Sequence, residues 1–100
     1  MGGGGVPSGG VTIVYLKGHG SLPPIGKPNS RVDLYIDDRK KQSRWYDFEG
    51  RAMRNRDYFH QNGDNTHFFP HDHIWDWNAS QPRSPRGVLP DYERYPEGRR

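Results

Sequence analysis

The 100-residue sequence contains no cysteine. There is therefore no disulfide framework and no thiolate nucleophile, and any metal would have to be held by His, Asp, Glu, Asn or water. Apolar residues are also scarce, at 30% of the chain with a mean hydropathy of -1.15. A chain of this length makes one domain, and its modest core must draw on most of the large side chains it has. No apolar run is long enough to cross a membrane. The opening M-G-G-G-G-V-P-S-G-G lacks the basic start and apolar stretch of a signal peptide, and residues 1–10 read as a glycine-rich linker or domain junction. Internal repeats and long amphipathic helix patterns are absent as well.

What the chain does have is aromatic side chains, at 13%, each able to bury a large area, and an uneven charge. Residues 39–56 carry seven basic and two acidic side chains. Residues 57–78 carry no lysine or arginine, four aspartates and four of the five histidines. A positive block beside a histidine cluster is what an enzyme acting on a phosphodiester needs; an ordinary solvated face has the same composition.

Val11 to Lys17 is β-branched and aromatic between glycines, which predicts a buried strand. Residues 18–30, with three prolines, read as a loop. Arg31 to Asp37 alternates, with Val32, Leu34 and Ile36 on one face, and predicts a half-buried strand. A turn at 37–40 leads to a strand over Lys41 to Phe48, and Gly50 marks the next turn. Residues 51–59 suit a strand of a hairpin, although Ala52, Met53 and the arginines also suit a short helix. After a loop at 60–66, Pro70 sets the entry of a strand over His71 to Trp77. Period two puts His71, His73, Trp75 and Trp77 on one face and Asp72, Ile74 and Asp76 on the other. Residues 79–100 form a Pro/Arg-rich irregular tail that can pack on the sheet through Val88, Leu89, Tyr92 and Tyr95. The expected fold is a small single α+β domain over residues 11–78, dominated by a twisted antiparallel β-sheet with few or no long helices.

The histidines admit several kinds of chemistry. Metal-independent RNA cleavage needs a base for the 2'-hydroxyl, an acid for the 5'-oxygen and a fixed cation or donor for the phosphorane. Histidine titrates near neutral pH and suits both proton roles. His71 and His73 are the expected base and acid, with His67 or His60 as substitutes. Arg51, Arg54 and Arg56 would hold phosphate, Tyr58 would donate to it, and Trp75 or Trp77 would stack on a base. In a competing arrangement, His71 and His73 share a catalytic metal with His67, Asp64 or Asp76, or hold a structural one. The plainest alternative has the tryptophans as core, the aspartates paired with the basic strand opposite, and the histidines lining a partner interface.

The ordered segments G-K-P-N-S (26–30), D-L-Y (33–35), K-Q-S-R-W-Y-D-F-E-G-R-A (41–52), D-Y-F-H (57–60) and T-H-F-F-P-H-D-H-I-W-D-W (66–77) resemble the C-terminal toxin domains of bacterial polymorphic toxin systems. The resemblance covers residues 26–78. It implies a small ribonuclease-like α+β fold whose sheet presents catalytic histidines, carried at the end of a larger secreted protein. It also implies action in the target-cell cytoplasm and neutralisation by a cognate immunity protein. The positions it marks are Asp57, His60, His67, His71 and His73, with Arg51 in the G-R-A turn. The expectation is therefore an RNA-cleaving domain that uses no cofactor and is monomeric when free.

Overall fold

In a computed structural model that describes residues 6–59 and 70–97, five strands form one sheet: β1 (Val11–Leu16), β2 (Arg31–Ile36), β3 (Arg39–Tyr46), β4 (Ala52–Asp57) and β5 (His71–Ile74). Their order across the sheet is their order in the chain. β2 to β5 form an antiparallel meander, whereas β1 pairs with β2 in parallel, so the sheet is mixed. A parallel pair needs a crossover of a dozen residues or more, which the proline-rich 17–30 segment supplies. Among the described residues there is no helix, and the helical part of the α+β expectation finds no element there. Residues 51–59 contain β4 rather than a helix: the glycine turn and cross-strand pairing prevail over the helical propensity of Ala52 and Met53.

The turns follow from their residues. Asp37 and Asp38 both have positive φ, 49° and 67°, as the two central positions of a type I′ hairpin require. Between β3 and β4, Asp47 Oδ1 accepts the backbone N–H groups of Glu49 (2.8 Å) and Arg51 (2.9 Å), and Gly50 takes the left-handed conformation (φ 83°) that closes the turn.

β1 is an edge strand with Ile13 and Tyr15 exposed, not the buried strand its composition suggests. Its β-branched residues reflect pairing on one side only. The apolar core lies on one face of β1 and β2, where Leu22 from the crossover packs on Leu34 and Ile36 beside Val14 and Val32.

Register then carries this same face across the sheet into polar territory. One cross-strand row runs Val14, Leu34, Gln42, Asp57, His71; the next runs Thr12, Val32, Arg44, Asn55, His73. The opposite face carries Asp33, Ser43, Arg56, Asp72 and, alongside, Arg31, Trp45, Arg54, Ile74. Residues 79–97 contact both faces, bridging Trp75 to Arg83 and Asp72 to Val88, and bringing Tyr95 edge-on to Trp45.

Candidate active site

The two rows converge on Asp57. It is buried, and its Oδ1 accepts hydrogen bonds from Gln42 Nε2 (2.7 Å) and Asn55 Nδ2 (3.0 Å). Both amide orientations follow from chemistry, since a carboxylate only accepts. Asn55 is further held by the Trp75 indole N–H, which donates to its Oδ1 at 2.7 Å. Gln42 Oε1 is buried with no hydrogen-bond partner among the described residues.

The other carboxylate oxygen, Oδ2, faces three nitrogen groups. His71 Nε2 lies 3.6 Å away, His73 Nε2 3.5 Å, and Arg83 Nη2 3.2 Å. Ligand atoms of Asp57, His71 and His73 all lie within 4.8 Å of one another, so these three residues could hold a metal ion. The imidazoles meet edge to face, with centroids 5.0 Å apart. His73 Nδ1 lies 2.8 Å from the Ser84 carbonyl oxygen. That oxygen can only accept, so Nδ1 carries the hydrogen. Burial holds the His73 imidazole below its usual pKa and the Arg83 charge adds to this, against the Ser84 contact, which works the other way.

Arg83 also lines a groove of about 620 Å³ walled by Pro24, Trp75, Trp77 and the 80–85 segment. The two indoles stack with centroids 5.6 Å apart at 22°, and Trp77 Nε1 donates to the Ala52 carbonyl. The Arg44 guanidinium lies over Trp75 at 5.0 Å. A flat, anionic ligand in this groove would find indole surface and a guanidinium at its inner end.

Of the residues expected from sequence, the structure brings Asp57, His71 and His73 together, links Trp75 to them through Asn55, and stacks Trp77 on Trp75. His60, His67 and Asp64 lie outside the described residues. Arg51 pairs with Asp47 and Glu49 and lies 6.0 Å over Trp77, on the groove side of the sheet rather than at Asp57. Arg54 and Arg56 point away: both bind Asp72 on the opposite face, with Nε to carboxylate distances of 2.7 and 2.8 Å. Strand alternation explains this, since 54 and 56 are out of phase with 55 and 57. Tyr58 shares that far face, donates its hydroxyl to Glu97, and is held above its usual pKa by burial first and Glu97 second. Asp76 sits in the turn after β5 and accepts the Asn78 N–H at 3.0 Å.

Of the basic 39–56 block, Arg44 shares this face, beside Asn55 in the register and close enough to feel the Asp57 charge, but it makes no ion pair with Asp57. Lys41 donates to the Gly20 carbonyl, Arg44 to those of Leu22 and Pro23, and Arg39 lies over Phe59. The cation paired with Asp57 is Arg83, from the tail, which nothing in the local sequence pattern marks. Gln42 and Asn55 were missed: alternation puts Asn55 on the Asp57 face, but the place of both at the site depends on the register with the neighbouring strands, which alternation leaves open. No protein-family profile, curated protein or solved structure matches this chain.

Proposed function

We propose that this chain is an RNA-cleaving toxin domain with its reaction centre at Asp57, His71 and His73. The observation that carries the reading is the convergence of two buried imidazoles and a buried carboxylate beside an exposed guanidinium that also lines a groove walled by two indoles. An RNA phosphodiester suits this set. Its phosphate is an anion for Arg83, its bases are flat surfaces for Trp75 or Trp77, and its cleavage is a matter of moving protons at oxygen.

Two forms of the reaction use these residues. In the metal-free form, one imidazole takes the 2'-hydroxyl proton as that oxygen attacks phosphorus. The 5'-oxygen departs with a proton from the other imidazole, leaving a cyclic phosphate and a 5'-hydroxyl, and Arg83 faces the phosphorane charge. In the metal-assisted form, the three residues would hold an ion, which would supply the charge stabilisation. The resemblance to polymorphic toxin domains supplies the setting: delivery at the end of a larger secreted protein, action in the target cytoplasm, and a cognate immunity protein.

The test is incubation of the purified chain with tRNA, bulk RNA and DNA beside the His71→Ala/His73→Ala double variant. RNA cleavage by the parent chain and its loss in the folded variant are expected. Retained cleavage in the variant, or none in the parent, overturns the reading.

A further inference from the structure

We propose that Asp57, His71 and His73 form a binding site for a divalent transition-metal ion of the zinc type, and that Arg83 competes with the ion for Asp57 Oδ2. The proposal shares its residues with the functional reading above but does not require RNA to be the substrate.

Hydrogen positions carry the first step. Because His73 Nδ1 donates to the Ser84 carbonyl, its Nε2 presents a bare lone pair toward Asp57 Oδ2 unless the ring is doubly protonated. Asp57 Oδ2 stands 3.5 Å from His73 Nε2 and 3.6 Å from His71 Nε2. Neighbouring ligands of one tetrahedral ion, each about 2.0–2.1 Å from it, stand roughly 3.4 Å apart. Two of the three spacings thus already match, and the third needs a small closure from at most 4.8 Å.

The surrounding shell has the form that metal ligands require. A ligating histidine usually donates its other ring N–H to a carbonyl or carboxylate, and a ligating carboxylate is itself hydrogen-bonded. His73 meets the first condition through Ser84, and Asp57 the second through Gln42 and Asn55. Asn55 is oriented in turn by Trp75. Two imidazoles with one carboxylate select zinc-like ions over magnesium or calcium, which prefer oxygen. With three protein ligands, a tetrahedral ion keeps a fourth position open, the pattern of catalytic rather than structural zinc.

Arg83 Nη2 stands 3.2 Å from the same Oδ2, so an ion bound there would have to displace it. The Arg83 side chain is 43% exposed and borders the groove, so it can withdraw without unfolding any strand. Metal entry would then release a guanidinium into the groove beside the ion, where an anionic ligand would lie. His71 and His73 would be ligands rather than free acid and base, which assigns the metal-assisted form of cleavage.

The full chain, stripped with EDTA, is titrated with Zn²⁺ by calorimetry and with Co²⁺ by visible absorption, with no RNA present. One ion per chain and a Co²⁺ ligand-field band of low coordination number are expected. His73→Ala and Asp57→Asn should each weaken binding by about 100-fold or more. Arg83→Ala should tighten it by up to about fivefold, as a competing surface ion pair is lost. No band from the parent chain, which needs no variant to fold, overturns the site; unchanged Zn²⁺ affinity in Arg83→Ala overturns the role of Arg83. Metal binding without RNA cleavage leaves this proposal standing and removes the ribonuclease reading. Cleavage that persists in EDTA without metal binding does the reverse.

Discussion

The two faces of β4 and β5 each bury one aspartate among nitrogen groups, and the two clusters differ in what those nitrogens can do. On one face Asp72, fully buried, takes Arg54 Nε on Oδ2 at 2.7 Å and Arg56 Nε on Oδ1 at 2.8 Å, with Arg56 Nη2 and the Asp91 N–H adding to Oδ2. Guanidinium only donates, so every contact is complementary, and Glu97, 3.5 Å from Arg56 Nη1, adds a second negative charge to set against the two arginines. The Tyr92 ring, 4.4 Å from the Arg56 guanidinium, and carbonyls of Asp91 and Tyr95 complete the enclosure. On the other face Asp57 meets imidazoles, which can present lone pairs, and a single half-exposed arginine. The first arrangement is closed and structural. The second keeps acceptor capacity in reserve, which is where binding and catalysis are possible.

The same substitution on each face sharpens this contrast most. Asp72→Asn would turn an amide N–H₂ toward guanidinium donors and leave buried positive charge unmatched, and a loss of about 3–5 kcal/mol in urea-induced unfolding is expected. Asp57→Asn keeps an oxygen for Gln42 and Asn55, and the N–H₂ it turns toward Arg83 meets a half-exposed side chain that can swing into solvent. Its cost in the same measurement should stay under about 1 kcal/mol while metal binding and cleavage are lost. Equal destabilisation by the two variants would erase the distinction between the faces.

Smaller effects test the enclosure of the arginine face. Tyr58→Phe removes the hydroxyl that donates to Glu97 and should cost about 1 kcal/mol in thermal or urea unfolding without altering metal affinity. The smallest effect concerns Asp47, which lies in the turn outside both clusters. Burial pushes its carboxyl pKa up, but N–H donation from Arg51 and Glu49 outweighs this and leaves it below the ordinary value. The unfolded state then binds more protons, so the contribution is full above about pH 4 and is lost as pH falls through the folded pKa. Asp47→Asn should lower stability slightly at pH 7 and leave it nearly unchanged at pH values below the folded pKa, so that the acid limb of a stability-against-pH curve becomes flatter.

Much of this contrast was readable in alternation. His71 and His73 share a face and Asp72 leaves it, as period two requires, and Asp72 pairs with the basic strand opposite. The same rule, applied to β4, separates Asn55 and Asp57 from Arg54 and Arg56, and shows why a run of basic residues along a strand cannot serve one site. Asp57 was marked only by the resemblance to toxin domains. Alternation leaves the pairing partner open: the parallel β1 and the Asp57–His71 register depend on which strand lies beside which. Arg83 was beyond reach for a related reason, since its place depends on how an irregular segment with four prolines returns to the sheet. Exposure of β1 was likewise invisible, because β-branched composition is the same at an edge as at a centre.

Strand order identical to chain order has a kinetic side. Between β2 and β4 every pairing joins neighbours in sequence through a tight turn, so that part of the meander closes short loops and should form early. Arg83, Ser84, Asp91, Tyr95 and Glu97 all reach their partners from the last fifth of the chain. Both clusters are therefore expected to be finished by one late docking event, after the sheet exists. A nascent chain would hold a formed hairpin while its carboxylates still lacked their partners, and both clusters would be complete only when the final segment arrives.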